Sequence, residues 1–217
     1  MNRKQLIKLI ETGENSSIEF KQKFSEPEKI AKEIIAFANT KGGTILFGIA
    51  DNGKIKGVES EKGTVELITE TLKHYCEPLI NYEVKYFELN NCEIVILQIP
   101  ESINKPHRIQ DYKNKLELNS ASVFVRVNDK SVPASKEMIK LMQTSTNELK
   151  LEKYSIGKNE KIVFEYLNEK EFLTVNKLTQ LANLSTRRAS RTLINLVRAN
   201  LLYVHTKDNG ENYFTAV

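Results

Sequence analysis

Two cysteines in 217 residues are too few for a disulfide framework, and no apolar run approaches the length needed to cross a bilayer. The opening Met-Asn-Arg-Lys-Gln-Leu is polar and amphipathic and has no signal-peptide core. A cytoplasmic, reducing compartment is therefore expected, with no membrane partner. Internal repeats and low-complexity tracts are missing. So are the glycine loops of nucleotide enzymes: Gly42-Gly43, Gly48, Gly53 and Gly57 spell neither G-x(4)-G-K-[ST] nor G-x-G-x-x-G. They read as turn and bulge glycines, and nucleotide hydrolysis is not expected.

Net charge is also scarce, at a formal +4, but its distribution is uneven. From Lys150 to Val217 there are 11 Lys and Arg against 7 Asp and Glu, whereas the rest of the chain balances at 21 of each. A basic small domain attached to a neutral larger one suits contact with phosphate, although a Lys-rich solvated surface would give the same count. Hydrophobic residues at 40% and charged residues at 28% are those of an ordinary globular protein.

What is present centres on residues 13–57. Ile18 and Phe20 alternate with Glu19 and Lys21, so a strand there places the apolar pair on one face and the charged pair on the other. Pro27 can open a helix, and Ile30, Ile34, Phe37 and Ala38 give that helix an apolar stripe. The helix should stop at Asn39-Thr-Lys-Gly-Gly, where Gly42 or Gly43 can supply a positive φ. Thr44 to Ala50 reads as a strand covered on both faces, and Asp51-Asn-Gly53 as the turn after it. Outside that stretch, helices are expected over 2–11 and 63–75, and two strands across Asn90-Asn91. A strand is expected over 122–127, and Ser135 should begin a helix that closes the first domain.

Beyond a polar stretch the pattern changes to helices over 160–168, 174–183 and 186–200, with Thr174 and Ser185 as N-caps, and then a hairpin. Three helices followed by a hairpin is the layout of a winged helix-turn-helix. In that layout the third helix enters the major groove, led by Arg187, Arg188, Ser190 and Arg191, with Lys207 and Asn209 at the wing tip near phosphate. The same layout also serves as a dimerisation or docking module. Lys105-Pro-His-Arg108 adds Lys105 and Arg108 as candidate nucleic-acid contacts, and a satisfied structural loop is an equal reading.

Glu-x(4)-Glu-Phe-Lys at Glu14 to Lys21, then AFANT-x-GG, then GI-x-D-x-G-x-I-x-G, resembles the Schlafen/AlbA-2 domain associated with DNA binding in bacterial proteins. The likeness continues more loosely through residues 105–108 and 122–128. It implies an α+β fold, a mixed sheet with flanking helices, over residues 1–146; the polar stretch and the helix–hairpin pattern described above give the linker over 147–158 and the winged-helix domain over 159–217. The function implied is nucleic-acid binding, of DNA or RNA, by a transcriptional regulator acting as a homodimer. The alternative is an endoribonuclease acting on structured RNA. In the relatives that cut RNA a Glu-x(4)-Glu pair and a following Asp are catalytic, which implies Glu14, Glu19 and Asp51 here, with Lys21 beside them and Mg²⁺ or Mn²⁺ as cofactor. Turn chemistry for Asp51 and a surface ion pair between Glu19 and Lys21 remain open. Those relatives close two lobes around the substrate, so this chain would need a second copy. They also hold zinc through His-x-Cys and a Cys pair. His74-Tyr-Cys76 matches the first half, but Cys92 stands alone, so no metal ligands are expected.

Overall fold

The computed structural model describes residues 3–144 and 155–217. These form two compact units, Met1–Pro133 and Ala134–Val217. The first contains α1 (Arg3–Thr12), β1 (Ile18–Lys21), α2 (Pro27–Asn39), β2 (Gly43–Phe47), α3 (Glu61–Tyr75), β3 (Cys76–Glu77), β4 (Glu83–Leu89), β5 (Cys92–Ile99), β6 (Arg108–Ile109), β7 (Phe124–Val127) and β8 (Lys130–Pro133). The second contains α4 (Lys136–Thr144), α5 (Lys158–Glu169), α6 (Val175–Ala182), α7 (Thr186–Arg198), β9 (Leu202–Thr206) and β10 (Asn212–Ala216). The division between Pro133 and Ala134 groups α4 with the second unit. Most of the linker expected over 147–158 lies outside the described residues.

The first unit is an α+β fold on a mixed four-stranded sheet in the order β1-β2-β5-β4, with β1 parallel to β2 and the other pairs antiparallel. Alternation along the strands sorts the side chains into two cores. Ile45, Phe47, Val95, Leu97 and Ile99 meet Ile30, Ile34 and Phe37 of α2 and Ile68 and Leu72 of α3. Ile18, Phe20, Leu46, Ile94 and Ile96 on the other face meet Leu6 of α1. β2 is thus covered on both faces, and Ile18 and Phe20 share one face, as the alternation predicts. The β4–β5 turn uses Asn90 and Asn91 at φ of 54° and 59°, the left-handed pair that a two-residue hairpin needs.

The two glycines after α2 serve different purposes. Gly42 supplies the positive φ, at 74°, and its N–H closes the helix on the Phe37 carbonyl. Gly43 is glycine for lack of room: a Cβ there would lie 2.1 Å from the Phe37 ring.

In the second unit Val163, Leu173, Leu178, Ala189, Leu193, Leu196, Leu202 and Phe214 form one buried core. Thr174 and Ser185 cap α6 and α7 by accepting from the N–H groups of Lys177 and Arg188. The β9–β10 hairpin follows α7, and Leu173 pairs with Phe214 as a short third strand. No helix among the described residues is long and apolar enough to cross a membrane.

Candidate functional site

Glu14 lies in the turn before β1, and its carboxylate accepts the Phe20 N–H at 2.9 Å on the side of β1 away from β2. That bond covers part of an edge strand that would otherwise present free backbone. Burial pushes the Glu14 carboxyl above its ordinary value, the Phe20 N–H opposes that, and the charges of Glu19 and Asp51 push further in the raising direction. Glu14 thus feels both of the other acids, while the Lys21 cation acts on it in the lowering direction. Asp51 itself sits exposed in its turn.

Glu19 points to the α2 side of the sheet and is 7% exposed. One of its oxygens pairs with Lys21, and the other accepts from Arg126 Nη1 at 3.0 Å. Arg126, on β7, has a fully buried side chain. Its Nη1 also meets Glu33 at 2.9 Å and Ser131 Oγ at 3.2 Å, Nη2 donates to the Asn15 carbonyl at 2.8 Å, and the guanidinium lies 4.6 Å from the centre of the Phe37 ring. Ser131 Oγ donates to Glu33 in turn. Arg126 thus ties β1, α2 and β8 together through charge-assisted hydrogen bonds. Nothing in the local pattern of the sequence announces this, because the partners are 93 and 107 residues apart.

This set does not fit a resident divalent cation. Both oxygens of Glu19 are already paired with cationic side chains, Glu14 is turned onto backbone, and no three His, Cys, Asp or Glu among the described residues are grouped to hold a metal ion. His74 pairs with Glu70 on the surface, while burial pushes the Cys76 thiol up to about 12, which leaves it protonated and inert.

The other motif residues knit α2 to the strands beside it. The Asn39 amide donates to the carbonyls of His107 and Phe124 and accepts the His107 N–H, and Thr40 Oγ1 accepts the Arg126 N–H. Lys105 donates to the Thr40 carbonyl at 2.9 Å and to Glu101 at 2.5 Å. Arg108 is 6% exposed and spends its guanidinium on Glu77, Asp111 and the Lys113 carbonyl. Of the two readings of this loop, the structural one describes Arg108, whose Nη2 is turned inward onto Glu77 and Asp111 while its buried Nε has no hydrogen-bond partner.

His107 is fully buried between Pro78 and Ser102. The Pro78 carbonyl can only accept, so Nδ1 carries a proton, and in the neutral ring Nε2 accepts from the Ser102 hydroxyl at 2.6 Å. Burial holds its pKa below the ordinary 6.5, and the Lys105 cation pushes the same way, against the Pro78 bond. Unfolding releases a histidine that binds a proton more readily, so the stabilising contribution is complete above about pH 6.5 and is lost as pH falls towards the folded pKa. Urea unfolding should show stability falling more steeply below about pH 6.5 in wild type than in His107→Gln. Parallel curves for the two proteins would refute this assignment.

In the second unit, Arg187, Arg188 and Arg191 are exposed on α7, and their guanidinium groups make no hydrogen bond or ion pair with any described residue. Arg187 and Arg188 occupy the first turn, which contains no acidic residue. Cations at a helix N-terminus oppose the macrodipole, so these two side chains work against the helix that carries them. Ser190 is placed differently from the expectation: it is 2% exposed, and its hydroxyl donates to Glu137 of α4 at 2.6 Å. It faces inward because α7 positions 189, 190, 193 and 194 form its buried side. Lys207 pairs with Glu211 at 3.0 Å, and Asn209 accepts the Glu211 N–H, so both shape the hairpin tip.

Among curated proteins, an uncharacterized ATP-binding protein, UU034 of Ureaplasma parvum serovar 3, is 30% identical over 136 residues, covering 54% of this chain and 38% of that protein. This chain therefore spans well under half the length of that relative. Among solved structures, the N-terminal domain of an ATP-dependent DNA helicase RecG-related protein from Nitrosomonas europaea aligns at 21% identity and a TM-score of 0.39, covering 52% of this chain and 81% of that one. The DIP2311 protein of Corynebacterium diphtheriae aligns at 20% identity and a TM-score of 0.46, covering 68% of this chain and 33% of that one. The model of the Schlafen, AlbA_2 family matches residues 14–135, from the carboxylate that caps β1 to the end of the hairpin bearing Arg126, and with more than half of its length matched this chain belongs to that family.

Proposed function

We propose that this protein is a DNA-binding transcriptional regulator. In this reading the region from 159 to 217 is a winged helix-turn-helix that holds duplex DNA through α7. The AlbA_2 unit supplies dimerisation or sensing, so that two copies present paired α7 helices to two half-sites. One observation carries the reading. Three arginine side chains stand exposed and unpartnered on α7, and two of them, Arg187 and Arg188, lie in a first turn that they destabilise, which suits a surface selected to meet phosphate and guanine edges. Lys207 and Asn209 are then placed for backbone contact beside the groove, and Ser190 for holding α4 against α7. ATP binding, in the name of the Ureaplasma relative, is outside this reading, because Gly42 and Gly43 are required by backbone geometry and by the Phe37 ring.

The test is binding of the full chain to a pool of random-sequence DNA duplexes across a salt series. Affinity should fall steeply with salt as counterions are released, and selection from the pool should enrich a two-fold symmetric site. Absence of duplex binding at low salt would overturn the reading.

A further inference from the structure

The outer face of the β9–β10 hairpin carries a row of rings that the core does not use. Strand alternation sends Leu202 and Phe214 inward, where both are buried, and leaves Tyr203 and His205 on the opposite face of β9, with Tyr213 beside them on β10. His205 and Tyr213 are cross-strand partners and stack with centroids 4.9 Å apart and planes 18° apart. Phe172, next to the Leu173 bridge, meets Tyr213 edge-on at 5.6 Å, and Tyr203 meets His205 edge-on at 6.5 Å. The row thus runs Phe172, Tyr213, His205, Tyr203 across the three strands. Its two ends are open to solvent, with Tyr203 55% and Phe172 46% exposed. Lys207, which is ion-paired with Glu211, lies 5.5 Å from the Phe172 ring centre at one end of the row.

Cross-strand packing accounts for the central pair, since neighbouring aromatics stabilise a hairpin. It does not account for the two end rings, which leave about half their surface in water. A ligand suited to this face must offer flat π surfaces spaced along a flexible chain. Residues 155–217 carry 9 Lys and Arg against 6 Asp and Glu, and the three α7 arginines have no acidic partner, so the ligand should also be a polyanion. Unpaired nucleic acid meets both demands, and duplex DNA, whose bases are stacked on one another, does not.

We infer that the hairpin's outer face is a stacking platform for the bases of an unpaired DNA or RNA strand, with room for about two bases on the exposed rings. This deepens the proposed function and rests on its placing of nucleic acid at the second unit. It adds a second substrate form to the duplex held by α7, one suited to a melted or single-stranded region.

The experiment uses the full chain with fluorescein-labelled oligo(dT) and oligo(rU) 15-mers and, separately, a mixed-sequence duplex, all followed by anisotropy. Tyr203→Leu and Phe172→Leu retain apolar bulk and remove the π face, and Tyr203→Phe retains both. Wild type and Tyr203→Phe should bind single strands, each leucine variant should weaken that binding about tenfold or more, and duplex affinity should stay unchanged. Preference between dT and rU identifies the strand chemistry, and either preference supports the platform. Failure of wild type to bind either single strand, or equal affinity in Tyr203→Leu and wild type, overturns the inference even if duplex binding is intact. Loss of single-strand and duplex binding together in the leucine variants overturns it as well. Single-strand binding that the leucine variants lose, in a protein that binds no duplex, upholds the platform and rejects the duplex reading.

Discussion

Replacing Glu19 by alanine is expected to destabilise the first unit by about 3 kcal/mol, the lower part of the range for breaking a buried ion pair. The substitution leaves the Arg126 guanidinium fully buried with one carboxylate partner, Glu33, in place of two, and it frees Lys21 from its partner as well. Glu33 keeps the loss from reaching the top of that range. Glu19→Gln, which keeps an acceptor for Arg126, should lose less. Urea unfolding of the full chain gives the measurement, and the double variant Glu19→Ala/Arg126→Met is the decisive member. With both charges removed the loss should be smaller than the sum of the single losses, because a large part of each single loss is an unpaired charge left in the interior. A Glu19→Ala protein within about 0.5 kcal/mol of wild type would mean that Arg126 finds its stabilisation elsewhere. The result bears directly on function: loss of any activity in a Glu19 variant has to be separated from loss of the fold before Glu19 is given a chemical role.

Much of the fold was legible because it follows from short-range pattern. Alternation placed Ile18 and Phe20 on one face, Pro27 opened α2, and Thr174 and Ser185 capped their helices. The β7–β8 hairpin was missed beyond Val127, since Asn128 at φ of 54° turns the chain within a run that carries no glycine. The candidate site was legible only as a set of residue types. Glu19 and Lys21 read either as members of an acidic site or as a surface ion pair, and the burial of Glu19 depends on Arg126, which neither periodicity nor turn chemistry connects to it. His107 is the same case: its ring is fixed by a carbonyl and a hydroxyl from two loops, a relation that no linear pattern encodes. Ser190 was misplaced by taking the helix N-terminus as a whole for a recognition surface. The helical repeat puts position 190 beside 194, on the buried side, whereas 187 and 191 share the exposed one.

In the proposed duplex complex Arg187, Arg188 and Arg191 all face DNA, and the double variant Arg187→Ala/Arg188→Ala is expected to weaken duplex binding by about a hundredfold or more, at roughly 1–3 kcal/mol for each arginine. Both side chains are exposed and without partners, so stability should stay within about 0.5 kcal/mol of wild type. Removal of two cations from the first turn should, if anything, favour the helix. That separation of affinity from stability makes the variant informative. The mode of contact follows from two further readouts on the same protein. An arginine that clamps phosphate weakens all duplexes alike and lowers the salt slope by about one when removed, whereas an arginine on a guanine edge relaxes sequence preference at one position. Unchanged duplex affinity in the double variant, with the fold intact, would remove α7 from the interface and leave the second unit as a docking module.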